Sequence, residues 1–165
     1  IFSKQKSPMV SQLLTEWITL AVIVVGPGFI ASVSWAPFLI SERFRSLFEQ
    51  LWPEDSVAIS YLLVMIGLSF PWVMGAGGAM VRGSPEELQM ANAMMDVVVA
   101  LSVVYLFGLP LVAGVGLPRV GIDWDETGYG LRTWVLLSTG VLWYVVLLAL
   151  PIFALSIGLA LAGGP

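Results

Sequence analysis

The chain has 165 residues, 58% of them hydrophobic and only 11% charged, with a mean hydropathy of +0.93. Soluble domains carry about 25% charged residues, so an ordinary water-facing surface is excluded. The lack of Cys and His removes disulfides, thiolate chemistry, most zinc sites and His-ligated haem, and a net charge of −4 argues against nucleic acid as a partner.

The apolar residues fall in four long blocks without period-two alternation. In lipid a chain must satisfy its own backbone hydrogen bonds, and blocks of this length do so as helices, not as barrel strands. The expected fold is therefore all-α: one membrane domain over residues 1–165, a bundle of four transmembrane helices kinked at prolines, with a short amphipathic interfacial helix between the first two. Met9 reads as a natural start. Residues 1–8 are then an upstream extension or a foreign remnant, expected to be disordered. Both lysines, Lys4 and Lys6, precede Met9; an acidic chain that afterwards uses only Arg fits a halophile or a GC-rich genome. The first apolar block outruns the 7–15-residue core of a signal peptide, so it reads as a membrane helix.

Helix one is expected over residues 13–40, with Glu16 and Trp17 at its entry. Gly26-Pro27-Gly28 interrupts the hydrogen-bond ladder, and Pro37 does so again near the exit. Two readings stand: a packing kink, or a discontinuous helix lining a transport site. Gly28, Ser32 and Ala36 recur every four residues, a spacing that lets another helix approach closely.

Residues 42–52 place Phe44, Leu47, Phe48, Leu51 and Trp52 on one helical face and Glu42, Arg43, Arg45, Glu49 and Gln50 on the other. This is the pattern of a helix lying on a membrane surface, stopped by Pro53. Helix two is expected over residues 57–81, capped by Asp55 or Ser56. Gly67, Pro71, Gly75 and Ala79 form its small face, and Trp72 lies too deep for an interfacial belt.

Helix three is expected over residues 85–116, with Ser84 as N-cap, Pro85 at its first position and Glu87 completing a capping box. Gly108 adds a small site, Pro110 a kink and Arg119 the far boundary. The following loop carries Asp123, Asp125, Thr127 and Gly128, the opening of a calcium-binding EF-hand loop. Position 12 of such a loop needs a bidentate Glu and here is Trp134, so this is a weak cation candidate beside the plainer reading of a solvated acidic loop. Helix four, over residues 133–162, carries Trp143 and Tyr144 at mid-span, Pro151, and the small series Ala154, Gly158 and Ala162.

Four crossings put both termini on one side together with Arg82, and put Arg43, Arg45, Arg119 and Arg132 on the other. If residues 1–8 are foreign, the positive-inside rule turns both termini outward. Glu16 and Asp96 should share a leaflet. Asn92, Asp96 and Ala100 form a stripe expected to face the bundle, because an ionised Asp in hydrocarbon costs about 2.5–3.5 kcal/mol. The plainer and favoured reading puts both carboxylates at headgroup level, hydrated or paired with Arg82, because the apolar run starts only after Asp96.

Ser32, Ser69, Ser102 and Ser138 have no His or Lys partner, so no catalytic role and no cofactor is expected. The leading functional expectation is a multi-pass protein of a prokaryotic cell membrane that acts by association, as a homo-oligomer or an accessory subunit among other membrane proteins. One alternative is an ion- or proton-coupled transporter or channel with an entrance at Glu16, Asn92, Asp96 and Arg82. Another is a binder of a quinone, carotenoid or lipid between Trp72, Tyr105 and Trp143.

Overall fold

The computed structural model describes residues 8–51, 56–83 and 86–163, and within them every regular element is helical. The order is α1 (Pro8–Trp35), a 3₁₀ stretch (Ala36–Ile40), α2 (Glu42–Leu51), α3 (Val57–Gly83) and α4 (Glu87–Leu111). A π-helical turn (Val112–Gly116), the single turn α5 (Leu117–Arg119) and α6 (Leu131–Ala162) complete it. Four stretches are long and apolar enough to cross a membrane: Thr15–Ile40, Val57–Gly83, Glu87–Arg119 and Leu131–Ala162. At 1.5 Å per residue the shortest reaches roughly 39 Å, more than a hydrocarbon core of about 30 Å requires. By length and composition the chain fits a multi-pass membrane protein.

Several boundaries differ from the sequence expectation. α1 begins at Pro8 instead of residue 13, since nothing in its first turns is incompatible with a helix. It also runs through Gly26-Pro27-Gly28 as one helix, so the discontinuous alternative is not realised there. Pro37 falls in the 3₁₀ stretch, whose tighter winding begins where the α-helix stops. Helix three starts at Glu87 with Glu86 in the cap position, and its expected final turn is widened into the π segment after Pro110. Ser56 caps α3: its hydroxyl accepts from the Ile59 amide at 3.3 Å. The expected signals at Trp52, Pro53, Asp55, Ser84 and Pro85, and residues 1–7 with Lys4 and Lys6, lie outside the described residues.

The spans form a ring in which α3 packs on α1 and α4, and α6 packs along α4. α1 and α6 close the ring only sparsely, which leaves α1 and α4 at opposite corners. Small residues make some of these approaches possible. A Cβ on Gly28 would collide with the Ser69 hydroxyl and lie 2.8 Å from the Ile66 Cα; one on Gly75 would lie 2.7 Å from a Val97 methyl. Ser32 and Ala79 are buried too. The other members of the small series are not at helix contacts. Gly67, Gly108 and Gly158 have open space beside them, and Ala36 and Ala154 are exposed, because the series drift around their helices away from the neighbour. The tightest approach is Gly83, where a Cβ would sit 2.5 Å from the Met90 amide nitrogen, so only a hydrogen side chain lets α3 and α4 turn so closely.

Polar tips of aromatic residues tie the helices together. Tyr61 of α3 donates to the Ser32 carbonyl of α1, and Trp35 of α1 donates to the Gly140 carbonyl of α6 at 2.8 Å. Tyr105 of α4 and Tyr144 of α6 donate to the Leu68 and Met65 carbonyls of α3, at 2.5 and 2.7 Å. Ser156 does the same from α6 to Ala91 of α4 at 2.8 Å. Around Trp35, the rings of Phe38, Phe44, Phe48 and Tyr61 stack or meet edge-on with centroids 4.7 to 6.0 Å apart, fastening α2 to the bundle.

Gly28→Val should therefore destabilise the fold by about 1–3 kcal/mol, since the opposing atoms include backbone that cannot move aside. Gly158→Val should be close to neutral. Denaturant titration of both variants in detergent checks the contrast, and equal stability would contradict it.

Candidate functional site

The carboxylates expected to meet inside the bundle do not meet. The inward face of α4 is Ala91, Met94, Val98 and Tyr105, at helical spacing, and each is buried. At 100° per residue this rotates Asn92 and Asp96 outward, and both are exposed along with Ala100. The polar stripe exists but faces away from the chain's own helices, which corrects the expectation of a bundle-facing Asp96. Glu16 and Arg82 are likewise exposed on α1 and α3. With α1 and α4 at opposite corners, Glu16 and Asp96 stand apart. Among the described residues the ion pairs join other groups, Arg43 with Asp125 and Arg45 with Glu49.

The loop of residues 120–130 holds a polar cluster that sequence reasoning saw only in part. Asp125 is 3% exposed. The Thr127 hydroxyl donates to its Oδ1 at 2.7 Å and the Thr133 hydroxyl donates to its Oδ2 at 2.5 Å. Arg43 of α2 donates to both of those hydroxyls, each at 2.7 Å, and its own nitrogen lies 3.6 Å from the carboxylate. The result is an ion pair relayed through two threonines, joining α2, the loop and the first turn of α6. Burial alone would raise the Asp125 carboxyl. The hydrogen bonds from Thr133 and Thr127 and the Arg43 charge outweigh it and hold the group below the usual carboxylate range.

Asp123 accepts from the Tyr129 hydroxyl at 2.8 Å, and burial together with that carboxylate raises the phenol above its ordinary value. Each residue offered as a cation ligand, Asp123, Asp125 and Thr127, thus has a hydrogen-bond partner within the protein. Gly128, with φ +88°, turns the chain after Thr127, and its amide donates to the Asp125 carbonyl at 3.0 Å. What sequence could not supply was Arg43, 84 residues from its threonine partner.

Of the three aromatics offered as an apolar-ligand site, Trp72 and Tyr105 meet and Trp143 faces outward. Trp72 is 1% exposed and meets Tyr105 edge-on at 5.7 Å, while Trp143 is 46% exposed and donates to the Ser34 carbonyl at 3.3 Å. Two carbon-lined recesses are present, one of them beside Trp72. One, about 270 Å³, sits beneath α2 between Phe44, Phe48, Leu68, Ala113 and Tyr144. Its wall includes the π-helical turn, whose Ala113 carbonyl accepts from the Trp124 indole at 2.7 Å. The other, about 370 Å³, lies along the sparse edge between α1 and α6, with Trp72 and Val73 of α3 lining it as well.

Compared with known proteins, the model of a family described as "Domain of unknown function (DUF8162)" matches residues 15–163, nearly the whole chain, and the chain belongs to that family. No curated protein and no solved structure matches it.

Removing the Asp125 charge, as in Asp125→Asn, should cost about 1.5–3 kcal/mol, the worth of hydrogen bonds to a charged group. A folded-state pKa below the unfolded one contributes stability that is present above the unfolded value and lost as pH falls through the folded one. Wild-type stability should therefore drop on acidification, and the variant should lose part of that drop. Unfolding midpoints measured across the acid range check both.

Proposed function

For this member of the DUF8162 family we propose a non-catalytic membrane protein that acts by association, as a homo-oligomer or as a subunit among other membrane proteins. The observation that carries the reading is the outward stripe of Asn92, Asp96 and Ala100. Asp96 lies nine residues into α4, roughly 13 Å along it, on a face otherwise made of Val99, Val103 and Phe107. A carboxylate and a carboxamide on such a face gain by meeting a neighbouring helix, where polar side chains bridge and a small residue admits close approach. A conduction path would instead need polar groups lining the interior of α4, whose inward residues are apolar apart from the Tyr105 hydroxyl.

The surrounding parts fit this role. α2 lies along the membrane surface with Glu42, Arg45 and Glu49 among headgroups, its apolar face clamped on the bundle and not left to lipid. Pro27, Pro71, Pro110 and Pro151 bend their helices, which shapes the outer surface for a partner. With residues 1–8 taken as foreign, Arg43, Arg45, Arg119 and Arg132 at the α2 end outnumber Arg82 at the other, which supports an α2 end facing the cytoplasm of a prokaryotic cell and termini facing outward.

The native mass of the protein purified in mild detergent tests the reading. The wild type should run as an oligomer or carry a partner, and Asn92→Leu with Asp96→Leu should shift it to the monomer mass. A monomeric wild type, or a double variant of unchanged mass, would count against it.

A further inference from the structure

Two adjacent residues of the 120–130 loop hold two different elements. The Trp124 indole donates to the Ala113 carbonyl of the π-helical turn at 2.7 Å, and Asp125 is tied through Thr127 and Thr133 to Arg43 of α2. The π turn forms part of the wall, and α2 the roof, of the cavity of about 270 Å³. Turns of this kind recur at functional sites, because their hydrogen-bond geometry is poorer than that of the α-helix they interrupt. One loop thus fixes both the wall and the roof of the same space.

That space shows only carbon to an occupant. Two polar tips belong to residues of its wall, and both are already bonded: the Trp35 indole to the Gly140 carbonyl, and the Tyr144 hydroxyl to the Met65 carbonyl. Water in a cavity needs polar partners and finds none here. Left empty, a void of this size forfeits the contacts that its lining would otherwise make. Val64 and Leu68 of α3 and Leu137 and Tyr144 of α6 line it roughly 10–20 Å from the starts of their helices, a depth at which acyl chains surround the bundle. Val64, Leu68 and Leu109 on its border are half-buried and Val112 is exposed, so it opens to the membrane-facing side of α3 and α4.

We infer that the cavity beneath α2 binds one hydrocarbon chain of a membrane lipid, admitted through the opening beside Val112. A cavity of about 150 Å³ holds benzene, so at the same room per carbon this one takes roughly ten chain carbons. The rest of the chain and its headgroup stay in the bilayer, which is why the site offers an occupant no hydrogen bond. A chain segment bearing a hydroxyl is rejected for the same reason, since a buried hydroxyl without a partner is costly. The inference stands apart from the association reading, which rests on the outward stripe at Asn92 and Asp96, near the other end of α4.

Labelled methionine methyls report on the cavity, because Met65 lies in its wall and Met94, also buried, does not. In protein held in amphipol and stripped of lipid, the Met65 methyl resonance is assigned by its absence from Met65→Leu. Decane should move it in a saturable way and leave the Met94 methyl in place. The same chain with a hydroxyl at each end should bind about tenfold more weakly. Val64→Phe, which puts a ring into the cavity, should abolish the decane shift, whereas Ala76→Leu in the recess between α1 and α6 should keep it. A phosphatidylcholine carrying a mid-chain diazirine, in nanodiscs, separates a lipid tail from a free hydrocarbon. Irradiation should label Met65 or Tyr144, and Val64→Phe should remove that labelling. A Met65 resonance unmoved by decane, equal binding of decane and the diol, or a full decane shift in Val64→Phe would overturn the inference. So would decane binding without lipid labelling, which would make the cavity a site for free hydrocarbons alone. Should Val64→Phe fail to fold, Val141→Phe fills the cavity from α6 in its place, and the wild-type probe comparison decides without either.

Discussion

The bundle is held in register by donors on aromatic side chains that reach main-chain carbonyls of neighbouring elements. In water such bonds trade evenly with solvent. In hydrocarbon there is little to trade with, yet each is still worth only about 0.6 kcal/mol on average, because helices apart in a membrane also find partners. Their value lies in direction. Tyr61, Tyr105 and Tyr144 each reach one carbonyl on one helix, and lipid tails supply no hydrophobic force that could choose between rotational settings of greasy cylinders. Once those settings are chosen, Gly28 and Gly75 allow the backbones to close on Ser69 and Val97.

This division explains what could be read from the residues in order. The spans were legible because lipid demands about 20 apolar residues per crossing, and the second was delimited almost to the residue by Ser56 and Arg82. α2 was legible from its alternating faces, and Phe44, Leu47 and Phe48 are indeed its buried side. Rotation was not legible. α4 is apolar nearly all round below Asp96, so no periodicity told whether Asn92 and Asp96 or Ala91 and Met94 face inward. The choice depends on Tyr105 finding Leu68 on another helix.

The acidic loop shows the same limit from the other side. Asp123, Asp125 and Thr127 resemble the start of a metal loop because carboxylates and a hydroxyl at that spacing favour a compact turn, with Gly128 supplying its left-handed residue. Whether the oxygens then hold a cation depends on what arrives from elsewhere. Here Arg43 arrives from α2 and donates to the two threonine hydroxyls that hold the Asp125 carboxylate. The charge balance of the loop is local in space and remote in sequence.

The uneven ring has a bearing on how the protein comes together. α3 and α4 approach each other most tightly at Gly83, so the two form one close-packed hairpin, and α6 lays itself along α4. α1 meets that three-helix body firmly on one flank and loosely on the other. Local opening is least costly where buried contacts are fewest, so the sparse edge between α1 and α6 is where this bundle parts first.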